Sequence, residues 1–95
     1  GFIQAASWTL YEEVIFDSKE IISKDWDSYK IIGFDNIPVF TTSVIDKKGS
    51  PYLGVGEVVA GPTGAAISNA LCKALGQRIK ILPFTKDNIT KELLN

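Results

Sequence analysis

Gly61 to Gly76 is the stretch that leaves this chain the least choice of fold. Pro62 suits the first turn of a helix, where its missing N–H costs nothing. Ala66, Ala70 and Ala74 recur every four residues beside Ile67, Leu71 and Leu75, which makes one helical face small and apolar. Gly76 supplies the left-handed stop. Small side chains let another element approach the helix axis closely, so this helix demands a partner. Just before it stands Gly54-Val55-Gly56-Glu57. Glycines allow close backbone approach, and a carboxylate held on such a turn beside a helix N-terminus is a candidate catalytic base. The competing reading is a plain turn in which Glu57 caps the following helix.

The rest of the chain reads as short alternating elements. Phe2, Ala6, Leu10 and Val14 recur every four residues, with Ile3 and Trp8 widening the stripe, and this periodicity predicts a helix over 1–16. Val14-Ile15-Phe16 is β-branched and aromatic, which favours a change to strand at its end. Asp17-Ser18-Lys19 reads as a turn. Short extended runs are expected at 20–23 and 29–32. Pro38 restricts Ile37 to extended geometry, and Val39 to Ile45 has strong strand character. Arg78 to Leu82 alternates polar and apolar residues and reads as a strand closed by Pro83. Thr85 is placed to N-cap a last helix through Leu94, with Asp87 in its first turn. The expected fold class is α+β, about three helices packed on a few short strands, in a single domain over residues 1–95.

Ninety-five residues bury roughly 60–65% of the unfolded surface, so such a domain is marginal alone. The chain contains no methionine, and Gly1-Phe2-Ile3-Gln4 opens inside an apolar pattern with no N-cap signal before it. Both features are those expected of a piece of a larger protein. Ten basic and eleven acidic residues give a net charge of −1, with no basic stripe of the kind nucleic acid requires. No apolar run is long enough to span a membrane, and a cytoplasmic location is expected. Cys72 is the single cysteine, which excludes an internal disulfide; its apolar helical setting reads as a buried thiol. The absence of histidine nearly excludes a serine or cysteine triad built within the chain, and it excludes a His-rich metal site. No metal ligands are expected. Trp8, Trp26 and the tyrosines are expected in the core. Glu12-Glu13 reads as a solvated face or a helix-end pair and not as paired catalytic carboxylates, because adjacent helical residues point about 100° apart.

Four motifs occur in an order that resembles the C-terminal end of the large subunit of molybdenum hydroxylases, the xanthine dehydrogenase and aldehyde oxidase family. They are Gly1-Phe2-Ile3-Gln4 running into Trp8-Thr9-Leu10-Tyr11-Glu12-Glu13, then Tyr29-Lys30-Ile31, then Gly54-Val55-Gly56-Glu57 with the Gly61-Pro62-Thr63 helix start, and finally Gly76 to Thr85. The likeness runs, with gaps, over nearly the whole chain. It departs from the family at Ala5-Ala6, where glycines usually follow the glutamine, at Val58, where many relatives have proline, and at Tyr52-Leu53, where many have a lysine.

The resemblance implies an oxidoreductase that hydroxylates an aldehyde or an N-heterocycle carbon with water-derived oxygen. It implies a molybdopterin cofactor, in the cytosine dinucleotide form, carrying molybdenum in the full-length parent; the isolated chain is expected to hold none and to be inactive. Glu57 takes the family's position of general base, and Gln4 and Gly56 take positions beside the cofactor. The implied partners are the remainder of the molybdopterin-binding subunit and iron–sulfur and flavin subunits or domains. One cysteine cannot hold an iron–sulfur cluster within this chain. The isolated chain is expected to self-associate through faces that larger neighbours would cover. A non-catalytic domain that keeps the fold without the cofactor is the alternative reading.

Overall fold

The apolar repeat at the start of the chain makes helix α1, Phe2–Leu10, and stops there, six residues short of the expected end. The Ser7 carbonyl accepts from both Tyr11 N–H (2.9 Å) and Glu12 N–H (3.3 Å), a shared bond of the kind that closes helices. The β-branched run that follows then leaves the helix. Asp17 Oδ1 accepts from the backbone of Lys19 (2.7 Å) and Glu20 (2.9 Å), and these bonds hold its carboxyl below the usual carboxylate range. That turn folds the chain back into one antiparallel bridge, Phe16 to Ile21. The computed structural model describes all 95 residues, and this bridge is its whole sheet content.

Helix α2, Ala60–Leu75, starts two residues before the proline and ends at Gly76, whose φ of 72° is the left-handed stop expected of it. Helix α3, Lys86–Leu93, is N-capped by Thr85, whose side chain accepts from Asn88 N–H at 3.2 Å. A short 3-10 turn, Phe34–Asn36, follows Gly33. The runs expected as strands at 29–32, 39–45 and 78–82 form no ladder. In the last of these, Lys80 and Ile81 N–H groups bond instead to Glu92 Oε2 of α3, at 2.8 and 3.2 Å. Arg78 ties the same stretch to α2 through Ser68 Oγ and Asn69 Oδ1, both at 2.8 Å.

The core sits where α1 packs on the start of α2. Ala5, Ala6 and Thr9 of α1 and Thr63 of α2 are buried. Thr9 Oγ1 donates to the Ala5 carbonyl (2.8 Å), and the Thr9 carbonyl accepts from Phe84 N–H (2.8 Å), so Phe84 and Pro83 close the same core. Phe84 and Ile79 are the two large buried side chains, each contributing roughly 1.5–3 kcal/mol. The alanine face of α2 is exposed, and Cys72 is half-buried rather than buried.

This core is small for the chain around it. The radius of gyration is 16.6 Å, where a packed domain of this length has roughly 12 Å. The accessible surface is 7985 Å², about 2,600 Å² more than the roughly 5,400 Å² of a compact monomer of this mass.

Candidate functional site

Two of the sequence motifs meet at one corner. Gly1 is the N-cap of α1 and Val59 is the N-cap of α2. A Cβ placed on Gly1 would lie 3.0 Å from Val59 Cγ2 and 3.1 Å from the Gly56 carbonyl oxygen. The start of α1 therefore lies close against the loop that carries Gly56 and Glu57, and a side chain at position 1 would push on Val59 and Gly56. From this corner the helices remain close. A Cβ on Gly64 would be 3.4 Å from Thr9 Oγ1.

Two helix N-termini thus converge on the Gly54–Val59 loop. Each brings the positive end of its dipole. Neither helix has an acidic residue in its first turn to offset that charge.

Glu57 is exposed on this loop. Its backbone carbonyl accepts from Ala60 N–H at 3.1 Å. Its carboxylate takes no hydrogen bond and forms no ion pair. It does not cap α2, whose N-cap has no side-chain bond. Gly54 and Gly56 have nothing within 4 Å of the place a Cβ would take, and neither has positive φ. Nothing inside the chain requires glycine at either position, so the edge is open to something from outside.

Gln4 is one turn along α1 and faces a different space. It borders a groove of about 470 Å³ together with Trp8, Glu12, Trp26, Tyr29 and Ile32. Glu57 and Gly56 do not line that groove. At its base Ser7 Oγ donates to Glu12 Oε1 (2.6 Å), Tyr29 OH donates to Glu12 Oε2 (2.7 Å), and Ile32 N–H donates to Ser7 Oγ (2.9 Å). The bond to Glu12 holds the Tyr29 hydroxyl above its ordinary pKa, with burial and the carboxylate charge adding to the shift.

Glu13 is exposed and Glu12 stands at the end of α1, as expected, but Glu12 is also a structural acceptor that joins α1 to residues 29–32. Trp8 and Trp26 are misplaced by the sequence reading. They are 46% and 76% exposed and wall the groove instead of filling a core. The pairing of Ser7, Glu12, Tyr29 and Ile32 joins positions up to 25 residues apart, and no local pattern signals it.

No three His, Cys, Asp or Glu side chains are grouped to hold a metal ion. A metal held by its own cofactor does not need such a group. The glycine edge at Gly54 and Gly56 is open, and the side chains of Glu57 and Gln4 are exposed and unbonded. No helix is long and apolar enough to cross a membrane.

The chain is 34% identical over 91 residues to one of the subunits of nicotinate dehydrogenase from Pseudomonas putida. It is related to a subunit of an oxidoreductase. The alignment takes in 96% of this chain and 8% of that relative, so the chain spans less than a tenth of its length. No family model matches, and no solved structure matches.

Proposed function

We propose that this chain is the part of a molybdenum hydroxylase large subunit that supplies the general base, Glu57. The observation that carries the reading is the corner itself. The Gly1–Gln4 helix start and the Gly54–Glu57 loop, two motifs about fifty residues apart in sequence, lie so close that a Cβ on Gly1 would come within 3.1 Å of both Val59 and Gly56. The four-motif resemblance and the similarity to a dehydrogenase subunit along nearly the whole chain support the same reading.

The chemistry asked of Glu57 is limited. The Gly54–Gly56 edge and Gln4 would hold the cofactor, which would supply molybdenum chemistry for hydroxylating a carbon. Glu57 would accept a proton at its carboxylate, which requires unshared lone pairs within hydrogen-bond reach. Both Glu57 oxygens are unbonded in this structure and can serve. Gln4 offers a side-chain amide that donates and accepts at once, suited to the edge of a pterin. The glycine edge at Gly54 and Gly56 lets a flat group approach the backbone. The convergent helix N-termini favour negative charge beside that edge.

The substrate class follows from the resemblance: an aldehyde or an N-heterocycle attacked at carbon. The relative's name makes an N-heterocycle the first to assay. A cytosine dinucleotide form of the pterin, iron–sulfur and flavin partners, and a cytoplasmic location belong to the same proposal. So does an α+β architecture for the assembled domain.

Replacement of Glu57 by glutamine in the full subunit tests the reading. Glu57→Gln keeps shape and loses proton acceptance. Turnover per bound molybdenum should fall on the order of 10²–10⁴-fold, the usual contribution of a general base, while metal content stays at the parent level. Near-normal turnover per metal removes Glu57 from the role.

A further inference from the structure

Residues Val39 to Ile45 combine two properties that conflict in water. Their sequence, Val-Phe-Thr-Thr-Ser-Val-Ile, is dense in β-branched and aromatic residues. Yet none of their backbone N–H or C=O groups bonds to another part of the chain. The nearest backbone bonds are those of the turns on either side, Asn36 to Gly33 and Ser50 to Lys47. The side chains are as bare as the backbone. Val39 is 101% exposed, Val44 89% and Ile45 91%. Phe40 alone rests on the chain, its ring 5.2 Å from that of Phe2.

In a strand, successive side chains point to opposite faces. Val39, Thr41, Ser43 and Ile45 would then share one face, and Phe40, Thr42 and Val44 the other. Both faces carry large apolar groups. A strand apolar on both faces belongs in a sheet whose two faces are both covered.

We infer that Val39–Ile45 is a strand added to the edge of a sheet built by polypeptide outside these 95 residues, in the same subunit. The inference rests on the reading that the chain is part of a larger subunit. A second copy of the chain is a poorer occupant. Two such segments paired together form a two-stranded ribbon, which is marginal in water and leaves Val39, Val44 and Ile45 uncovered. A pre-existing sheet supplies both the missing hydrogen bonds and the cover. Pro38 and the Lys47–Ser50 turn bracket the segment, so the added strand is about seven residues, roughly 23 Å long.

Amide hydrogen exchange, compared between the 95-residue chain and the longer subunit that carries it, tests the inference. The amides of residues 40–45 should exchange at least a hundredfold more slowly in the subunit. Equal exchange in both overturns the proposal. Protection within the 95-residue chain that rises with its concentration also overturns it, in favour of a second copy. Thr42→Pro gives an independent readout. It should leave the thermal unfolding of the 95-residue chain unchanged, since no bond is lost there, and lower that of the subunit. An equal effect in both refutes strand addition. These measurements do not depend on activity. A subunit with protected amides but no molybdenum refutes the functional reading alone, and an active molybdenum enzyme with unprotected amides refutes the strand alone.

Discussion

Gly56→Ala should change sign between the isolated chain and the assembled enzyme. In the isolated chain the added methyl enters open space, and the backbone at Gly56 lies outside the left-handed region. Its main effect is then to restrict the unfolded chain, which stabilises by about 0.4–1 kcal/mol. In a domain of this size that raises the unfolding midpoint by about 2–8 °C. In the full subunit the same methyl lies on the edge where the cofactor is proposed to approach. An extra methyl in a packed contact costs about 1–3 kcal/mol, which is about a 5- to 150-fold loss of cofactor affinity at 1.36 kcal/mol per decade.

Two measurements decide the matter: thermal unfolding of the 95-residue chain, and molybdenum per subunit by elemental analysis of the full protein. Gly49→Ala is the control. Gly49 also has open space but a φ of 83°, so the substitution should destabilise by about 1–2 kcal/mol without touching the cofactor. Full molybdenum occupancy in Gly56→Ala would refute the idea that the open glycine edge faces the cofactor. A fall in the stability of the isolated chain would show that the loop is constrained in a way its geometry does not reveal.

Two further outcomes are expected. Tyr29 donates to Glu12, so its pKa is raised in the folded chain; the contact's stability is present below about pH 10, the unfolded tyrosine value, and is lost as pH rises through the higher folded value. Phenolate absorbance should show one tyrosine titrating earlier in Glu12→Gln than in the parent, and superimposable curves would remove the bond from consideration. The isolated chain should self-associate through its exposed apolar surface, which light scattering reads directly; a monomer at every concentration tested counts against it.

The helices were legible because their signals are local. Pro62, the alanine repeat and Gly76 define α2, and Thr85 defines the start of α3, without reference to the rest of the fold. The end of α1 was overestimated because the apolar spacing continues to Val14, while the backbone stops at the bond shared by Tyr11 and Glu12. Strands are a different matter. Their existence depends on a neighbour, and sequence character at 39–45 and 78–82 says nothing of where that neighbour lies. At 78–82 the carboxylate of Glu92 takes the role that a paired strand would have had. The Ser7–Glu12–Tyr29 cluster was invisible for the same reason, since its members meet only after the chain has folded back on α1.

The acidic residues separate by what they do for the chain itself. Glu12, Asp17, Asp25 and Glu92 each accept hydrogen bonds that fix a turn or join two segments. Glu57 accepts none, but neither do the side chains of Glu13, Asp27, Asp35, Asp46 and Asp87, so freedom alone does not single it out. Position does. Glu57 lies on the loop where the N-caps of α1 and α2 touch, next to glycines whose lack of a side chain the chain itself does not need. The buried residues that the two helices themselves contribute there, Ala5, Ala6, Thr9 and Thr63, are all small, and Phe84 closes the same core from outside the helices. Small residues are what bring the two helix starts together, and bringing them together is what fixes the loop. Thr9 and Gly64 meet in the fold's one helix–helix contact, which sets the loop that carries Glu57 between the two helix starts. A larger residue at Ala5 or Ala6 would separate the helices and move the carboxylate with them.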